Sequence, residues 1–155
     1  MPLQVLLIED NPGDVRLMRE IFLDCSIPMQ LHVVIDGNEA MDFLRHVGAY
    51  VGAPRPDIIL LDLNLPKMDG RQVLTAIKGD DGLKTIPTVI LTTSAAEVDI
   101  ATSYQLHANC YLSKPVQLDA FENLVKGIGD FWLTKVKLSR PGRADKAPTQ
   151  MPPDR

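Results

Sequence analysis

The chain has 155 residues, 45% of them apolar, and a net charge of -4, which suits one well-buried core and is too short for two ordinary domains. No stretch approaches the roughly 20 uninterrupted apolar residues of a bilayer-crossing helix, and the chain opens on a strand-like run rather than a basic and then apolar leader, so a soluble cytoplasmic protein without membrane contact is expected. Residues 1–132 carry 10 Lys and Arg against 18 Asp and Glu, whereas 133–155 carry 6 against 2; the acidic body argues against direct nucleic-acid binding.

Leu3 to Ile8 is a branched apolar run bounded by Glu9-Asp10-Asn11-Pro12-Gly13, the pattern of a buried strand that ends in a turn. From Asp14 to Cys25, Val15, Met18, Ile21 and Phe22 recur at three- and four-residue steps and predict a helix, closed by Ile27-Pro28. Leu31 to Ile35 reads as a second strand. Asp36-Gly37-Asn38 then offers a helix start, with Ala40, Phe43, Leu44 and Val47 in helical period as far as Gly48. Gly48 to Pro56, with two Gly and two Pro, reads as an irregular loop. The third strand spans Asp57 to Leu61, and its uninterrupted Ile58-Ile59-Leu60-Leu61 suits a parallel strand covered on both faces. Gly70 to Lys78 is predicted helical with Val73, Leu74 and Ile77 inward. Strand Thr88 to Leu91, helix Ala95 to Leu106, strand Asn109 to Leu112 and helix Leu118 to Trp132 complete the series. Five alternating strand–helix units imply an α/β, doubly wound parallel sheet with right-handed crossovers. Cys25 and Cys110 show no ligand spacing and read as reduced, mostly buried thiols.

In a parallel sheet the residues just beyond each strand's C-terminal end share one rim, where ligands bind. That rim would gather Glu9, Asp10, Asp62, Thr92, Thr93 and Lys114. Three crowded carboxylates repel one another unless a cation is present, and oxygen ligands suit a hard divalent ion such as Mg²⁺, with Mn²⁺ as an alternative occupant. A metal, an ammonium and a hydroxyl around one carboxylate are the charge stabilisers that phosphoryl transfer needs, which makes Asp62 the expected nucleophile, with Lys114 and Thr92 as its assistants. A strand-terminal Asp taken singly is more often a turn or cap residue; four strand ends with complementary chemistry favour a site.

These segments, Leu-Leu-Ile-Glu-Asp-Asn-Pro at the first strand, Leu-Leu-Asp-Leu-Asn-Leu-Pro-Lys-Met-Asp-Gly at the third, Ile-Leu-Thr-Thr-Ser at the fourth and Tyr-Leu-Ser-Lys-Pro at the fifth, resemble the CheY-like receiver domains of bacterial two-component response regulators. The resemblance spans residues 3 to about 132. It implies a flavodoxin-like five-stranded sheet of order 2-1-3-4-5 and phosphorylation of Asp62 by a sensor histidine kinase. It also implies a metal held by Asp10, Asp62 and the backbone carbonyl of Asn64, with Glu9 reaching it through water, and a cis peptide before Pro115. Thr92 and Tyr111 correspond to the family's switch pair, which remodels the surface made by the fourth helix, fifth strand and fifth helix. On this reading the protein is a phosphoacceptor that assists its own phosphorylation and dephosphorylation, not an enzyme of the ordinary kind. The sequence departs from the commonest pattern at Glu9, where Asp is frequent, and at Thr93, which is bulkier than the usual Ala.

More narrowly, the Gly48–Pro56 loop, the Leu91-Thr92-Thr93-Ser94 turn and the ending Gly129-Asp130-Phe131-Trp132-Leu133 resemble stand-alone regulators paired with bacterial phytochrome kinases. Phe131, Trp132 and Leu133 cannot all point into one core, so a homodimer contact is expected there. Residues 1–132 are expected to form the receiver domain and 133–155 an arm, rich in Pro and charge and at least partly disordered. The arm is too short for a DNA-binding output domain, so signalling is expected to pass to a protein partner or a phosphotransfer histidine.

Three other readings compete. A haloacid-dehalogenase-type phosphatase needs a second Asp two positions after the nucleophile, where this chain has Asn64. A flavodoxin-like flavin binder needs a phosphate loop after the first strand, where carboxylates stand instead. A degenerate receiver acting only as a binding module would not keep Asp62, Thr92 and Lys114 together.

Overall fold

The computed structural model describes residues 2–63, 65, 68–92, 110–114 and 116–126. The elements are β1 (Leu3–Ile8), α1 (Pro12–Asp24), β2 (Met29–Val34), α2 (Gly37–Arg45), a single 3-10 turn at Gly48–Tyr50, β3 (Ile58–Asp62), α3 (Gly70–Lys78), β4 (Thr88–Thr92) and β5 (Cys110–Ser113). The predicted helix 95–106 lies outside the described residues. The chain divides into two compact units, Met1–Leu118 and Asp119–Arg155. Residues 118–126 are helical, with Phe121 and Val125 buried; the expected boundary at 132 and the arm lie beyond what is described.

The five strands form one parallel sheet in the order β2-β1-β3-β4-β5, as expected. The uninterrupted apolar runs explain its layering. Val5 to Ile8 and Ile58 to Leu61 are at most 2% exposed, so these parts of β1 and β3 are covered on both faces, as expected of central strands in a helix-flanked parallel sheet. On one face, Val73, Leu74 and Ile77 of α3 and Ala40, Met41, Phe43 and Leu44 of α2 join Leu6, Ile8, Ile59 and Leu61 in a single core cluster.

Caps explain where the helices begin. Asn11 accepts from Asp14 N at 3.0 Å, and Pro12 opens α1 where no intrahelical N–H is needed. Asp36 accepts from Glu39 N while Glu39 accepts from Ile35 N, both at 2.8 Å. Asp69 and Gln72 form a capping box on α3. Gly70 is dictated by close approach: a Cβ there would lie 2.5 Å from the Asp62 carbonyl oxygen and the Leu63 Cα, so the first residue of α3 sits directly on the backbone that ends β3.

Several boundaries differ from the sequence reading. The second helix stops at Arg45 because His46 takes a left-handed conformation with φ 59°, which leaves the supposedly inward Val47 49% exposed. The second strand starts at Met29 and ends at Val34, and Ile35 is exposed. Of the predicted stripe on α1, only Met18 is buried. Cys25 is half-buried rather than buried, and the Cys110 side chain is not among those described. No described helix is long and apolar enough to cross a membrane.

Candidate functional site

Register puts the predicted residues on one rim. Ile8 pairs with Leu61 and Asp62 with Leu91, so the chain leaves β1 into Glu9 and Asp10 level with Asp62 at the end of β3. Thr92 closes β4 opposite Ser113, the last residue of β5, and Lys114 follows. The carboxylates of Glu9 and Asp62 are buried and that of Asp10 exposed, each offering an oxygen within 4.8 Å of the others.

Lys114 converges on the same point. Its Nζ donates to Asp62 Oδ2 and Asp14 Oδ2, both at 2.9 Å, and to Glu9 Oε1, and its side chain is only 9% exposed. A buried ammonium left unpaired would be costly; here its three N–H donors meet three carboxylates. Burial pushes Lys114 down, but the hydrogen bonds to Glu9, Asp14 and Asp62 outweigh it and hold the ammonium above the ordinary lysine range. Glu9 moves the other way for an acid. Burial first, then a hydrogen bond with Asp62, push its carboxyl up from 4.5 to about 7 against the opposing pull of Lys114. Burial away from water disfavours the charged form of Glu9, and the neighbouring Asp62 adds to that effect.

The fit to a divalent cation follows from the same crowding. Glu9, Asp10 and Asp62 supply hard oxygen donors from two adjacent strand ends, Asp10 on the open side, and a 2+ ion would offset the burial that pushes the Glu9 carboxyl up. Glu9, Asp10, Asp62 and Lys114 are therefore brought together. The backbone of Thr92 lies on the same rim and that of Tyr111 pairs with Ile90; their side chains, Asn64, and Phe131, Trp132 and Leu133 lie outside the described residues. The sequence reading passed over Asp14, which it treated only as a helix start. The available signal was its place in the first turn of the helix that leaves the rim, three residues after the cap.

A parallel sheet of order 2-1-3-4-5 with an acid cluster and a lysine at its C-terminal rim places the chain among flavodoxin-like α/β domains. The chain belongs to the response regulator receiver domain family, whose model matches residues 5–126; this is not a family of ordinary enzymes, and neither the phosphatase nor the flavin-binding reading is supported. Over 137 residues the chain is 49% identical to the response regulator Rcp1 of Synechocystis sp., covering 88% of this chain and 93% of that protein. A crystal structure of the phosphorylated cyanobacterial phytochrome response regulator RcpA superposes with a TM-score of 0.74 at 50% identity, over 87% of this chain and 96% of the other. A crystal structure of the Mn²⁺-bound form of Rcp1 gives a TM-score of 0.72 at 49% identity, over 85% and 95%. The chain is thus similar to response regulators of the phytochrome type along nearly their whole length.

Proposed function

We propose that this chain is a phosphorylation-operated switch in which Asp62 accepts a phosphoryl group from a phosphohistidine of a sensor kinase, a bacteriophytochrome being the favoured donor. The carrying observation is the Lys114 ammonium 2.9 Å from Asp62, inside a cluster of Glu9, Asp10 and Asp62. An Asp62 oxygen attacks phosphorus, the P–N bond to the donor imidazole breaks, and the leaving nitrogen keeps the electron pair and takes up a proton. Lys114 offsets the negative charge on the transferring oxygens. Asp10, Asp62 and the Asn64 carbonyl would hold Mg²⁺ or Mn²⁺, with Glu9 acting through water, and the ion would supply further charge neutralisation. Thr92 donates to the new phosphoryl group and Tyr111 responds, which turns charge at the rim into a changed interaction surface.

The phytochrome pairing is supported by the likeness to Rcp1 and RcpA. Output passes to a protein partner or a phosphotransfer histidine, and a homodimer uses Phe131, Trp132 and Leu133; residues 1–132 form the receiver domain, and the basic arm 133–155 is an extension. The test is incubation with Mg²⁺ and acetyl phosphate, followed by intact mass. Wild type gains an alkali-labile phosphoryl mass and Asp62→Asn does not; equal labelling of both, or of neither, removes the proposal.

A further inference from the structure

Lys114 Nζ has three N–H donors and three carboxylate acceptors, but the acceptors are not equivalent. Asp62 is the proposed phosphoacceptor. Glu9 belongs, with Asp10 and Asp62, to the cluster able to hold a cation. Asp14 is outside that cluster, on the first turn of α1, with its Oδ2 2.9 Å from Nζ. Its side chain is also not needed to start the helix, because Asn11 supplies the cap by accepting from Asp14 N at 3.0 Å. Besides its favourable place as an acid in the first turn of α1, the Asp14 side chain has one hydrogen-bond partner among the described residues, the Lys114 ammonium, 100 positions away along the chain.

We infer that Asp14 is a positioning residue for phosphoryl transfer: it keeps the Lys114 ammonium aimed at Asp62 when the other two carboxylates are drawn into metal binding and bond formation. This rests on the proposed function of Asp62. When an Asp62 oxygen bonds to phosphorus and the donor's bond to phosphorus breaks, with its electron pair leaving on the donor, the N–H that pointed at Asp62 passes to a phosphoryl oxygen. A cation would draw Glu9 away at the same time. Asp14 then remains as the fixed anchor of a long side chain that would otherwise lose its orientation on entering a new hydrogen bond.

The experiment measures the rate at which acetyl phosphate, releasing acetate, labels Asp62 in the full chain at saturating Mg²⁺, by intact mass. Wild type, Asp14→Asn, Asp14→Ala, Lys114→Ala and the double variant Asp14→Ala/Lys114→Ala are compared, with Mg²⁺ affinity measured separately. Loss of one charge-assisted hydrogen bond predicts labelling roughly tenfold slower in Asp14→Ala, a smaller loss in Asp14→Asn, and Mg²⁺ affinity within about twofold of wild type. In the Lys114→Ala background, Asp14→Ala has no further effect. A role only in helix α1 would slow both backgrounds alike and overturns the inference. Asp14→Ala labelling at the wild-type rate overturns it while leaving the proposed function standing; a wild-type chain that gains no mass overturns both.

Discussion

The proton held by Glu9 should compete directly with a divalent cation. Its carboxyl is fully buried and pushed up to about 7, by burial first and by its hydrogen bond with Asp62 second. The metal-free fold binds this proton more tightly than the unfolded chain does, so this group's contribution to stability is complete below pH 4.5 and is lost as pH rises through about 7, on the order of 3 kcal/mol across that window. A 2+ charge beside Glu9 favours its carboxylate form even through a water, so binding displaces the proton, and the apparent association constant should rise by up to tenfold per pH unit below 7 and level off above it. Between pH 5.5 and 7.5 the rise is up to about 25-fold. Calorimetric Mg²⁺ titrations in buffers of different ionisation enthalpy measure both the affinity and the proton released. Glu9→Gln should flatten the dependence. Wild-type affinities at pH 5.5 and 7.5 that agree within about twofold, with no proton released, would refute the reasoning.

Gly70→Ala places a Cβ 2.5 Å from the Asp62 carbonyl oxygen; backbone cannot yield as a side chain can, so a loss of about 1–3 kcal/mol in urea unfolding and slower labelling of Asp62 are expected, and an unchanged midpoint would contradict it. Asp57 is buried and accepts from Gln4 N at 2.8 Å, tying the start of β3 to β1; Asp57→Ala leaves that N–H without its acceptor and should cost about 1–3 kcal/mol by the same assay. Asp69→Ala removes the half-buried cap of α3 and should cost only about 1 kcal/mol, so a loss well above that would contradict this ranking.

The alternation of strands and helices was legible in the sequence because it is written in short-range periodicity. The run Ile58 to Leu61 read as a doubly covered strand and is one, and α3 appears at its expected residues, Gly70 to Lys78, with Val73, Leu74 and Ile77 buried. Places where a single backbone angle decides were less legible. Nothing in the period of α2 says that His46 turns left-handed, yet that turn decides whether Val47 is inside or out.

Glu9, Asp10, Asp62 and Lys114 could be listed from sequence alone, since each follows or ends a strand and a parallel sheet brings strand ends to one rim. Their mutual electrostatics could not. That Glu9 is wholly enclosed and its carboxyl pushed up, that one ammonium serves three carboxylates, and that Asp14 is among them depend on distances between segments up to 105 positions apart. Local pattern decides which elements form and which end of each strand carries polar groups. Only the packed sheet sets the separations and the exclusion of water, and Coulombic and hydrogen-bond energies at the rim depend steeply on both.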